Sequence, residues 1–130
     1  MTTRHAACAC GRLKVETTGE PVRISICHCL DCQRRTGSAF GAQARFPSAN
    51  VAIDGPYKEH VRTADSGAQA TQCFCPTCGS TVFWPSLPGF TSVAIGAFAD
   101  PGFPAPTVSV YDERRHDWAR LAGDASMTHE

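Results

Sequence analysis

Apolar and polar residues alternate in short runs along most of this chain, and glycine, proline, serine and aspartate punctuate them. Residues 12–17 place Leu13 and Val15 between polar neighbours, as a half-buried strand requires. Residues 22–27 form a second such run, and residues 39–46 a third that stops at Pro47. Residues 51–53 precede a turn at Asp54, Gly55 and Pro56. Residues 70–74, 81–84, 92–98 and 107–111 complete the set. No segment sustains an apolar period of 3.6 residues. A single helical turn is predicted over residues 34–38, after Cys32, and residues 112–121 read as a short helix or a loop. The pattern predicts an all-β chain of short antiparallel strands, in one curved sheet or two small ones. Residues 122–130 lack anchoring apolar groups and are expected to fray.

Length and charge narrow the possibilities. The 130 residues suit one domain spanning 1–130 with a single hydrophobic core. Twelve basic and twelve acidic side chains give a net charge of zero, and no Lys/Arg run is long enough to follow a phosphate backbone, so nucleic acid is not an expected partner. No apolar run approaches the ~20 residues needed to cross a bilayer, and Met1 to His5 lead into cysteines without an apolar signal segment. A soluble, cytoplasmic protein is expected. In a reducing cytoplasm its thiols stay free or bind metal.

Seven of the eight cysteines fall into three tight groups: Cys8 and Cys10; Cys27, Cys29 and Cys32; Cys75 and Cys78. Such close neighbours suit a shared metal ion better than disulfides, which need Cα atoms about 5.5 Å apart with suitable Cβ directions. No βαβ pattern surrounds the Cys-x-x-Cys pair, so a thioredoxin-type redox motif is excluded. Cys75-x-x-Cys78 before Gly79 can grip one ion across a tight turn, which supplies half of a tetrahedral thiolate set. Cys8 and Cys10, two apart on an extended segment, face one side and are the natural complement. Four thiolates close a zinc site and make it structural. Cys27, Cys29 and Cys32 would leave a fourth zinc position for water or a substrate thiol, whose pKa zinc lowers. His28 should point away from that face. Cys73 leaves two outcomes open. It could complete a second closed site, or it could be an unligated thiol beside Cys75.

Other residues carry weaker signals. Arg34 and Arg35, next to the three-cysteine group, could receive the carboxylates of an anionic thiol substrate through forked hydrogen bonds, or form an ordinary basic turn. Thr36, Gly37 and Ser38 could cradle an anion or simply turn the chain. Phe40, Phe46, Phe74, Phe83 and Trp84 could wall a pocket, although core packing suits most of them better. Residues 112–115 read as a solvated charge run, and Trp118 as an anchor for the C-terminal segment. His5, His60, His116 and His129 have no partner visible in the sequence.

Cys8-Ala9-Cys10-Gly11, then Cys27-His28-Cys29 through Cys32 to Gly37-Ser38, then Phe74-Cys75 through Cys78-Gly79-Ser80, in that order, closely resemble the glutathione-dependent formaldehyde-activating enzyme family, which includes the centromere protein V type domains. The resemblance continues through Phe83-Trp84 and the aromatic segment from Val108 to Trp118. It implies a β-tent fold and a structural zinc on Cys8, Cys10, Cys75 and Cys78. It also implies a second, labile zinc on Cys27, Cys29 and Cys32. The implied activity is condensation of glutathione, or a similar small thiol, with formaldehyde to S-hydroxymethylglutathione, a carbon–sulfur lyase reaction. A non-catalytic, zinc-stapled β module that binds a protein partner is the alternative, and it predicts two closed metal sites.

Overall fold

A computed structural model describes residues 1–64 and 66–130. The strands, in chain order, are β1 (Thr3–Ala7), β2 (Lys14–Thr18), β3 (Arg23–Cys27), β4 (Gly41–Pro47), β5 (Val51–Asp54), β6 (Lys58–Thr63), β7 (Gln69–Phe74), β8 (Thr81–Pro85), β9 (Phe90–Ala94), β10 (Val108–Val110) and β11 (Thr128–His129). One α-helix, α1 (Leu30–Thr36), lies between β3 and β4 among the described residues. The all-β expectation holds, in its two-sheet form. A small antiparallel sheet has the order β1-β2-β5, and a larger one runs β11-β10-β3-β4-β9-β8-β7-β6. The larger sheet is antiparallel except at one edge, where β10 runs parallel to both β3 and β11.

Alternation explains the core. Leu13, just before β2, and Val15 on it pack in one cluster with Ile24, Ala44, Phe46, Val82, Phe83 and Val93 from the large sheet. The other faces of β3 and β4 carry Arg23, Ser25 and Cys27, and Gln43 and Arg45, which line a cavity instead. Gly55 (φ +104°) ends β5, where a Cβ would lie 2.0 Å from the Arg12 carbonyl oxygen. Only glycine fits so close to that backbone.

Several local expectations are corrected. The strand expected over residues 92–98 stops at Ala94, and a 3₁₀ turn, Ile95–Phe98, swings Phe98 into the core against Phe46 and Phe103. β1 has too little apolar alternation to be read from sequence, and β6 is an exposed edge strand whose charged residues guard it against further pairing. The helical turn begins four residues earlier than expected. Cys29 Sγ accepts the Cys32 N–H and so acts as the N-cap, with Asp31 in the first turn and Arg34 and Arg35 in the last. Those charges complement the helix dipole. Cysteine is not a usual capping residue, so the start was hidden. Thr36 to Ser38 terminate this helix: Gly37 (φ +67°) donates to the Gln33 carbonyl, and Thr36 Oγ1 to that of Cys32.

The C-terminal segment is anchored, not frayed. The N–H groups of Thr128 and Glu130 donate to the carbonyls of Thr107 and Ser109. His129 pairs through Nδ1 with Asp112 and through Nε2 with the Asp124 carbonyl. Trp118 does not dock; it is 74% exposed and lies beside His116. The expected charge run is partly tied down, since Asp112 also accepts from Ser109 Oγ. His116 Nε2 meets Gln33 Oε1, and His5 lies 3.7 Å from Glu16. Polar bonds hold this segment, which is why a hydrophobic reading missed them.

The His129 latch makes β11 pH-sensitive. Its bond to the Asp124 carbonyl, then that to Asp112, raise the His129 pKa. Asp112 is lowered: burial opposes ionisation, but Ser109 and His129 outweigh it, and Arg115 also contributes. A raised histidine stabilises below its unfolded pKa, and that contribution is lost as pH rises through the folded value. A depressed carboxylate does the reverse, losing its contribution as pH falls. Attachment of β11 is therefore expected to be strongest in mildly acidic solution and to loosen on either side. Hydrogen exchange at the Thr128 and Glu130 amides, followed against pH, reads this directly. Exchange at those amides independent of the His129 charge would contradict it.

Candidate functional site

Two thiol clusters form where the strands end. The Cys8–Gly11 turn before β2 and the Cys75–Gly79 turn between β7 and β8 bring the sulfurs of Cys8, Cys10, Cys75 and Cys78 within 4.8 Å of one another. The Cys8–Cys10 and Cys10–Cys75 sulfur separations are both 3.6 Å. A zinc–sulfur bond of about 2.3 Å gives a tetrahedral edge of roughly 3.8 Å, so the set has the dimensions for one ion. The N–H of Leu13 points at Cys8 Sγ, and that of Thr77 at Cys75 Sγ. Contact with the Ser80 hydroxyl and backbone brings the Cys78 thiol down to about 5. Such donors favour thiolate, the form that binds metal.

The second cluster gathers Cys27 from the end of β3, Cys29 from the helix cap and Cys32 from the first turn of α1, again within 4.8 Å. Hydrogen bonds from the Cys27 and Cys32 thiols and the Cys32 N–H hold Cys29 well below the ordinary thiol range, while the Cys29 and Cys32 sulfurs, and then burial, push Cys27 up. Gly41, opposite Cys27 in the β3–β4 register, makes room for this cluster. A Cβ there would stand 2.7 Å from Arg35 Nη2 and 3.2 Å from Cys32 Cβ.

Cys73 joins neither cluster. It is 1% exposed in the hydrophobic core, and burial, reinforced by Glu59, raises its thiol to about 11. It packs as a small apolar side chain. His28 also stays apart from the sulfurs. It is 1% exposed, edge-on to Phe40, with Nε2 3.9 Å from Asp112. Burial lowers its pKa.

The three-thiol cluster opens on a cavity of about 260 Å³. Arg23, Arg35, Arg45 and Arg62 line it. Asp31 pairs with Arg62, and Arg35 lies over the Trp84 ring, its guanidinium carbon 4.6 Å from the centroid. Arg35 Nη2 is buried without a hydrogen-bond partner. Arg34, expected beside Arg35 as a second anion contact, is exposed and does not line this cavity. Consecutive helical residues point about 100° apart, so one of them turns outward. Of the aromatics weighed as pocket walls, Trp84 lines the cavity, whereas Phe46 and Phe83 belong to the core. Sequence reasoning missed Arg23, Arg45 and Arg62. Strand alternation could have found Arg23, because Arg23, Ser25 and Cys27 share one face.

A crystal structure of a Rhodobacter sphaeroides protein, solved as a structural genomics target, is similar in fold. Its TM-score is 0.52 at 17% identity, covering 97% of this chain and 99% of the other. No match is found among curated protein sequences. Residues 3–114 match the family described as glutathione-dependent formaldehyde-activating enzyme. That match spans all seven clustered cysteines and the residues that line the cavity, and the chain belongs to the glutathione-dependent formaldehyde-activating enzyme family.

Proposed function

We propose that the protein is a zinc-dependent carbon–sulfur lyase resembling S-(hydroxymethyl)glutathione synthase. It joins glutathione, or a similar small thiol, to formaldehyde or a related electrophile. The observation that carries this reading is the contrast between the two thiol sets. Cys8, Cys10, Cys75 and Cys78 supply four sulfurs, enough to close a tetrahedral site, whereas Cys27, Cys29 and Cys32 supply three sulfurs at the wall of a cationic cavity. The donor chemistry fits zinc in both places, closed in the first and with a position to spare in the second. A cytoplasmic setting, where thiols stay reduced, agrees with this.

Cys27, Cys29 and Cys32 would hold a zinc ion, which as a Lewis acid would lower the pKa of a substrate thiol toward neutral pH. The chain's own residues do the rest. The cationic lining draws in a carboxylate-bearing thiol and favours its anionic form. Arg35, steadied on Trp84 and with Nη2 unpartnered, is placed to receive an anionic group beside the sulfur. In the reaction a sulfur–carbon bond forms to the aldehyde carbon. The S–H bond is lost, and the aldehyde oxygen gains a proton to become the hydroxyl of the adduct.

Isothermal titration of glutathione into zinc-loaded protein and into a Cys29→Ser variant tests this reading. Binding by the wild type and its loss in the variant are expected. Equal binding by both proteins, or none by either, would reject it. Mild chelation separates the alternative of a closed β module: one zinc released and one retained is the expected result, whereas two zincs lost only on unfolding would favour the module.

A further inference from the structure

The cavity floor has an order that the sulfur chemistry does not use. In the β3–β4 register, Cys27 faces Gly41, Ser25 faces Gln43, and Arg23 faces Arg45. Successive rungs stand two residues apart, so the Arg23–Arg45 rung lies about 13 Å along the strands from the Cys27 rung. The sheet therefore grades from thiols, through an amide and a hydroxyl, to paired guanidiniums. The middle rung is half used: Gln43 Nε2 donates to Ser25 Oγ at 2.7 Å, while Gln43 Oε1 is buried without a partner. It is an acceptor waiting for an N–H.

The far rung breaks a rule of sheet construction. Like charges directly opposite one another destabilise a strand pair. Arg45 is partly buried there and directs its Nε to Ser86 Oγ. Burial first, and then the charge of Arg23, depress its pKa, while Glu130 opposes both. The structure also shows what relieves the pair. The Glu130 side chain reaches Arg23 with both oxygens, 3.1 Å from Nη2 and 3.5 Å from Nη1. A carboxylate already sits at this rung, supplied by the chain itself.

We propose that Arg23 and Arg45, with Gln43 between them and the thiols, form a subsite for the remote carboxylate and an intervening peptide N–H of an extended thiol substrate, and that the Glu130 side chain competes for it. This rests on the reading that the substrate sulfur sits at Cys27, Cys29 and Cys32. The subsite selects thiols whose carboxylate lies several bonds from sulfur, beyond an amide, over compact ones such as cysteine. A neutral aldehyde needs no guanidinium, so the rung serves the thiol partner. Arg35, next to the sulfur end, remains for a second anionic group of the same molecule.

The test uses S-methylglutathione, which has no free thiol, so its binding reports the subsite independently of metal at the three cysteines. Binding is followed through tryptophan fluorescence and by titration calorimetry, with the glycine-carboxylate monoethyl ester of the same compound as the matched control. Wild type is expected to prefer the free acid by about tenfold or more, as a charge-assisted forked contact allows. Arg45→Met should weaken the acid without affecting the ester, erasing the preference, and Arg45→Lys should restore part of it. Glu130→Gln, at the rim, should tighten binding of the acid, a gain that misfolding cannot produce. Equal binding of acid and ester by wild type, or no tightening in Glu130→Gln, would overturn the proposal. Loss of zinc-dependent activity in Cys29→Ser with the acid preference intact supports the subsite and is read separately from it.

Discussion

Cys75→Ser is expected to abolish recovery of soluble, folded protein. Cys75 is fully buried, and its cluster joins the turn after β1 to the turn after β7, tying the small sheet to the large one across 65 residues between Cys10 and Cys75. Zinc in a closed thiolate site contributes on the order of 10 kcal/mol to the folded state. That is comparable with the whole net stability of a typical domain, about 5–15 kcal/mol. Serine keeps the shape but loses the thiolate. Cys10→Ser should behave alike, although Cys10 is exposed, because the effect comes through the zinc site proposed for this cluster and not through packing. Cys32→Ser should be much milder, since its cluster joins only β3 to the adjoining helix. Soluble yield, thermal melting and zinc per chain distinguish these outcomes. Comparable collapse in all three variants would show that both clusters staple the fold.

Gly41→Ala is expected to leave the fold standing while disabling the metal site proposed on Cys27, Cys29 and Cys32. Gly41 has no left-handed backbone to protect, so the effect is steric alone. The added methyl would meet Arg35 Nη2 at 2.7 Å, Cys32 Cβ at 3.2 Å and Cys32 Sγ at 3.5 Å. The guanidinium is the end of a flexible side chain and can swing aside, leaving its place over Trp84. Cys32 Cβ is fixed to the helix and can yield only if α1 shifts. Overpacking of this kind costs about 1–3 kcal/mol, which a domain survives. A three-sulfur site is less tolerant, because displacing one ligand spoils the tetrahedral geometry. The variant should melt within several degrees of wild type, retain one zinc after mild chelation where wild type is first loaded with two, and lose glutathione binding. Retention of both zincs with unchanged glutathione affinity would show that the β4 backbone does not set the cluster geometry.

The separate fates of these cysteines were largely legible in the sequence because ligand spacing is local. Two thiols three residues apart across a turn, or two apart on an extended segment, face one point whatever surrounds them. The pairing of the first group with the last came from counting, since a half-set needs a complement. The helix start at Cys29 was not legible, because the cap is a thiol and not an oxygen. The anchoring of Thr128 to Glu130 is not legible in the sequence because backbone pairing and the His129–Asp112 contact carry no hydrophobic signature. Arg34 and Arg35 are adjacent in the chain, but helical rotation turns only Arg35 toward the cavity.

The cationic cavity shows the limit most clearly. Arg23, Arg45 and Arg62 are scattered over β3, β4 and β6, each unremarkable among its neighbours in the chain. They converge because β3 and β4 pair in one register and β6 closes the far edge of the same sheet. By itself the sequence determined the all-β class, the family and the division of seven thiols into four and three. Those follow from period-two alternation and from the short reach of a metal ligand, both local properties. The folded arrangement places Cys73 in the core, turns one arginine of the pair toward the cavity and brings Glu130 onto Arg23. Each depends on which distant segments share a face, and that is set by strand order and register.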